Sequence, residues 1–204
     1  MNYTEIKALA LSYADREDAE VSDRLDDFIS IVESRINRVL GVRKMVTRSQ
    51  TTTIKDQEYY GLPADFSGIR DIEMFDILAP KSRSTLKYLS PEQMNSIADL
   101  STDFVYYTII ADQFQISPTQ DGKILEIVYY QNLPPLTDVS PENWLTFYAP
   151  DAYVFGILTE INAFVKDKET ANLWDTRFKE TIDNLSNKDD TERWSGTAMQ
   201  TRVG

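Results

Sequence analysis

The first forty residues carry two apolar stripes at helical spacing. Ile6, Leu9, Ala10 and Tyr13 share one face of a helix predicted over Thr4–Ala14. After the acidic link Arg16-Glu17-Asp18, the residues Val21, Leu25, Phe28, Ile29, Val32, Ile36, Val39 and Leu40 step by threes and fours, which predicts one long helix over Glu20–Leu40. Gly41 stops that helix, as glycine does just past a C-terminus. Asp23, Asp26 and Asp27 cluster near its start, where carboxylates suit the positive end of the helix dipole; they read as a solvated first turn and not as metal ligands.

From Val42 the pattern changes. RKMVTRSQTTTI at 43–54 is rich in β-branched residues and reads as an extended strand at a sheet edge. Short strand-like pieces follow at Glu58–Tyr60, Ile69–Ile77, Thr85–Tyr88, Val105–Ala111, Phe114–Ile116 and Lys123–Gln131, and Asp121-Gly122 between the last two signals a hairpin. Ser90-Pro91-Glu92-Gln93 opens a short helix. In the pairs Tyr59-Tyr60, Tyr106-Tyr107 and Tyr129-Tyr130, strand alternation gives one ring to a core and the other to the outside.

Residues 132–142, NLPPLTDVSPE, form a proline-rich connector, and helical patterning then returns. Trp144–Tyr148 reads as a short helical turn that plugs a core and ends before Pro150. Pro150 and Asp151 suit the first turn of a helix that is apolar on nearly every side. Within it Gly156 admits a close neighbour, and Glu160 is an internal strut needing an arginine such as Arg35, Arg70 or Arg177. A last helix over Asp167–Trp194 carries Ala171, Trp174, Phe178, Ile182 and Leu185 at helical steps, and SGTAMQTRVG at 195–204 has no periodicity. The fold class is α+β: a helix bundle built from an N-terminal pair (1–42) and C-terminal helices (138–194), with a small antiparallel β region inserted at 43–137 and an extended tail at 195–204.

Composition changes this picture mainly by exclusion. With 42% hydrophobic residues the chain can bury a core. It has no cysteine and no histidine, so a disulfide framework, a thiol nucleophile and a histidine base are all excluded. No segment has the unbroken apolar run of a membrane span, and the acidic start is unlike a signal peptide, so folding in a cytoplasm without membrane association is expected. A net charge of −12 opposes nucleic-acid binding. The one net-positive stretch, 41–70, sets Arg43, Lys44, Arg48, Lys55 and Arg70 against Asp56, Glu58 and Asp65, and reads as a solvated strand face or, alternatively, a contact patch for an acidic partner. Candidate carboxylate pairs for a hydrolase are Asp71, Glu73 and Asp76, or Asp151 and Glu160, but such spacing is common on any acidic surface. No enzyme, metal or cofactor is expected.

Five ordered stretches carry a resemblance: LPADF at 62–66, YLSPEQM at 88–94, the segment 106–138, NWLTFYAPDAYVFGILTE at 143–160, and KDKETANLWDTRF at 166–178. Together they resemble the head-to-tail adaptor (neck, or head-completion) family of tailed bacteriophages, mainly short-tailed ones, from about residue 60 to 194. The resemblance implies a structural virion protein at the neck, assembled in the host cytoplasm. Such proteins form a ring, usually twelve-fold, beneath the portal after packaging, extend the DNA channel and carry tail, nozzle or fibre proteins. Passing DNA would slide along an acidic lumen without specific binding. Arg193, Trp194, Met199, Arg202 and Val203 are the candidate portal anchors; alternatively, Trp194 completes the core of the last helix. Another tail or connector subunit is the second reading, and a carboxylate-dependent hydrolase the third.

Overall fold

The computed structural model describes residues 1–16, 18–97 and 104–194, with backbone only for Ile97, Arg193 and Trp194. Along the chain the elements are α1 (Tyr3–Ala14), α2 (Ala19–Ser22), α3 (Leu25–Val39), a 3-10 turn (Arg43–Met45), then β1 (Val46–Thr52), β2 (Tyr59–Gly61), β3 (Phe66–Asp76), β4 (Ala79–Thr85) and β5 (Lys87–Tyr88). There follow α4 (Pro91–Ile97), β6 (Tyr106–Ile110), β7 (Gln113–Ser117), β8 (Lys123–Gln131), α5 (Trp144–Tyr148), α6 (Pro150–Phe164) and α7 (Lys168–Trp194). The fold is mixed α+β.

The helices form one compact unit, from Met1–Lys44 and the described residues from Leu133 onward; the strands and α4 form the other, Met45–Asn132. Residues 133–137 therefore go with the helices, although the strand-rich insertion was expected to run to 137. Their backbone is held by α3: Leu133 N–H donates to the Asn37 side chain at 2.7 Å, and Leu136 N–H to Glu33 at 2.8 Å.

In the helical unit α6 is the central rod. Ala152, Tyr153, Val154, Gly156, Ile157, Leu158, Thr159 and Ile161 are all buried on it, against α1, α3 and α7. Pro150 occupies its first turn, where the missing N–H would have no helical partner, and buried Ala149 is the only residue separating it from α5. In α5 Leu145 and Thr146 are fully buried, whereas Phe147 and Tyr148 are exposed at 67% and 42%. The single helix expected over Glu20–Leu40 is divided. Asp18 caps α2 through Val21 N–H, turn residues Asp23 and Arg24 intervene, and α3 restarts with Asp26 and Asp27 in its first turn. Ser22 and Asp23 compete with helical hydrogen bonds, and the carboxylates favour a fresh N-terminus there.

In the strand unit two four-stranded sheets have the orders β1-β8-β3-β4 and β2-β7-β6-β5. Pairings are antiparallel apart from the short parallel contact β5–β6. The sheets bury their faces on a common cluster that includes Tyr60, Ile72, Met74, Phe114, Ile116, Leu125, Ile127 and Tyr129. β7 and β8 lie in different sheets, so Asp121-Gly122 is not a hairpin turn; Gly122 (φ 64°) turns the chain between sheets, its N–H bonded to Thr53 O at 3.0 Å. The tight turns are instead at Ile77-Leu78 and Ala111-Asp112. Tyr60 and Tyr129 are buried while Tyr59 and Tyr130 are more exposed; Tyr106 and Tyr107 are both half-buried. Among the described residues no helix is long and apolar enough to cross a membrane.

Candidate functional site

The helical unit is organised by a buried polar network that the pattern of apolar residues does not reveal. Asn143 caps α5, its side chain accepting from the Leu145 and Thr146 N–H groups. The same amide donates to Pro134 O at 3.0 Å and to the Tyr153 hydroxyl oxygen at 2.8 Å. Tyr153 in turn donates to Glu33 at 3.3 Å, and the same carboxylate oxygen accepts Leu136 N–H at 2.8 Å. Glu33 is 7% exposed, so burial pushes its carboxyl above the usual carboxylate range, with the two donors acting in the opposite direction. Burial and the Glu33 charge raise the Tyr153 hydroxyl well above an ordinary tyrosine. A signal was present: Glu33 is four residues after Ile29 and three before Ile36, inside the apolar stripe of α3.

On the opposite side of α3, Arg35 holds that helix to α6 and α7. Its guanidinium donates to Glu160 at 2.9 Å and to Asp175, and lies 4.6 Å from the Phe178 ring centroid. Arg35 is thus the partner of Glu160 among the three arginines considered. Gly156 brings α6 against α3: a Cβ there would sit 2.6 and 2.9 Å from the Val32 methyls and 3.3 Å from Phe178. Asp151 lies exposed in the first turn of α6, 3.4 Å from the Thr181 hydroxyl of α7. Trp174 is half-buried, stacked on Phe155 at 5.5 Å with Tyr13 at its edge.

Two concavities open on this unit. One, of about 300 Å³, lies beside the last turns of α7 and is lined by Val42, Trp144, Tyr148, Leu185 and Lys188, with Arg43 closing it through Asp189 at 2.8 Å and Glu192 at 3.0 Å. Trp144 is half-buried in its wall; Lys44 and Lys188 both lie over the Tyr148 ring. The other, of about 420 Å³, is a groove between α3 and α7. Arg193 and Trp194 end α7, while Met199, Arg202 and Val203 lie outside the described residues.

The carboxylates considered for hydrolysis have separate structural partners. Glu73 accepts from Arg83 at 2.7 Å, Asp76 from Lys123 at 2.8 Å, and Asp71 caps the N–H of Ile72. Among the described residues no group of three or more acidic side chains gathers to hold a metal. The basic stretch is also divided: Arg43 is spent on α7, whereas Arg48, Lys55 and Arg70 are exposed in the strand unit. The arrangement is suited to presenting shaped, charged surfaces. No curated protein matches the chain. A family model described as SU10 adaptor protein matches residues 1–202.

Proposed function

The chain belongs to the SU10 adaptor protein family, a structural, non-enzymatic family of phage head-to-tail adaptors, and on that premise we propose that it docks on the portal once DNA is packaged. The match over 1–202 carries this reading, because it takes in both the helices and the strands. Copies assemble as a ring of about a dozen subunits, as the resemblance implies. The ring extends the DNA channel and seats tail, nozzle or fibre proteins at the neck of the virion. The net charge of −12 fits that role in two ways: it keeps the free subunit soluble, and it lets the phosphate backbone slide past without being gripped.

The portal contact is assigned to the end of α7 and the segment after it, through Arg193, Trp194, Met199, Arg202 and Val203. Aromatic and arginine anchors of this kind dominate many interfaces. Deleting residues 195–204 is expected to abolish co-sedimentation with portal assemblies while leaving the circular dichroism spectrum and thermal transition unchanged. Full attachment by the truncated protein would remove the portal contact from this segment. A wild-type protein that labels the particle distal to the neck would identify another tail or connector subunit instead.

A further inference from the structure

Among the described residues Val139 is the most exposed large hydrophobic side chain, at 96%. It does not sit on a loose loop. Thr137 N–H donates to Ser140 O at 3.0 Å, and Ser140 N–H donates back to the Thr137 hydroxyl at 3.0 Å, which closes the turn beneath it. The next residue, Pro141, accepts Tyr3 N–H at 2.7 Å and so is anchored to α1. Turns of this kind ordinarily present glycine, asparagine or serine at the tip. Here the turn presents a valine flanked by two exposed acids, Asp138 and Glu142. The result is a preformed apolar knob with a negative collar.

The groove between α3 and α7 is its complement. Phe178 and Ile182 form the floor and Val39, 62% exposed, is on the rim. The cations lining the groove are Arg35, paired with Glu160 and Asp175, Lys179, two-thirds exposed and paired with Asp175 at 2.7 Å, and Arg38, which has no ion pair among the described residues; Asp183 is the one acid in the lining. Within one subunit the two features lie on opposite sides of α3. At about 100° per residue, Glu33 and Asn37, which hold the connector, fall near 0° and 40°, whereas Arg38, Arg35 and Val39 fall near about 140°, 200° and 240°. Complementary patches on opposite sides of a subunit make a head-to-tail contact, which gives a ring where the rotation between copies closes.

We propose that Val139 of one copy seats in the α3–α7 groove of the next, with Asp138 and Glu142 facing Arg38 and Lys179. This seam rests on the ring reading above and supplies the subunit contact that reading requires. The turn is held by its own hydrogen bonds before contact, so docking orders little new chain. The charges set register and exclude the reversed pairing, in which like signs would meet.

The chain has no cysteine of its own, so every disulfide formed comes from the engineered positions. V139C/V39C protein, mixed with portal assemblies under mild oxidation, should give a ladder of covalent oligomers on a non-reducing gel, while each single variant stays monomeric because its cysteine faces a valine across the seam. R38E/K179E and D138K/E142K should each fail to assemble alone, and an equimolar mixture should recover assembly, because each altered knob then meets an altered groove. Rings from the wild type with no ladder and no recovery would overturn this seam and leave the ring standing. Neither rings nor a ladder would overturn both.

Discussion

Replacing Gly156 with alanine is expected to destabilise the protein by about 1–2 kcal/mol, although alanine is the better helix former by about 1 kcal/mol. The position is buried on α6, and the added methyl would come within 2.6 Å of one Val32 methyl and 2.9 Å of the other. Valine in a helix has one strongly preferred rotamer, so those methyls have nowhere to swing. The α3–α6 contact must open, and with it the alignment of Arg35 against Glu160, one turn further along α6. V32A alone should cost roughly 1–3 kcal/mol by leaving a cavity. In V32A/G156A the new methyl enters that cavity, so the double variant should be more stable than the sum of the singles by about 1 kcal/mol or more. Urea unfolding of the four proteins measures this coupling. Simple additivity would mean that Gly156 and Val32 do not set the helix spacing.

The second large effect concerns Glu33. Glu33→Ala removes the acceptor for a buried N–H at Leu136 and for the Tyr153 hydroxyl, and an expected loss of about 2–3 kcal/mol follows. Glu33→Gln keeps an acceptor for Leu136 and removes the charge. Because burial raises the Glu33 carboxyl above its ordinary value of 4.5, the folded state holds that proton more tightly than the unfolded chain does. The contribution of this group is therefore complete below about pH 4.5 and is lost as the pH climbs through the raised value. Glutamine has no proton to lose. The stability of Glu33→Gln relative to wild type should rise across that window and level off above it. Carboxylates held low by cations, such as Asp26 beside Lys7 and Asp175 beside Lys179 and Arg35, respond in the opposite direction but are common to both proteins and cancel in the difference. A difference that stays constant from pH 4 to pH 7 would show that Glu33 is not desolvated.

Helical periodicity located α3 and α7, which carry apolar stripes, whereas α6, buried on most sides, was legible from its long apolar run and from Pro150-Asp151 at its start. It did not locate the break at Asp23-Arg24, since Val21 and Leu25 keep the stripe's spacing straight across it. β4 was legible only in its last residue, because all its residues are exposed and an edge hairpin strand of Ala-Pro-Lys-Ser-Arg-Ser-Thr has no alternation to detect. Asp121-Gly122 signals a turn but says nothing about which sheet the next strand joins; that is decided by the pairing of β8 with β1 and β3, far off in sequence. Glu160 drew notice because it interrupts an apolar run, and its partner Arg35 was one of three candidates. Glu33 carries the deeper burial yet looked like one more charged residue on a helix, and only its place inside the stripe distinguishes it. The knob at Val139 lies in a proline-rich connector, where an exposed valine is invisible until the turn around it is known.

Docking on the portal is tested most directly by mixing purified wild-type protein with portal assemblies. Electron microscopy of the mixture should show a closed ring of this chain seated on one end of the portal and coaxial with its channel. Portals left bare at stoichiometric excess of the protein, with the chain elsewhere in the particle or nowhere in it, would contradict the account.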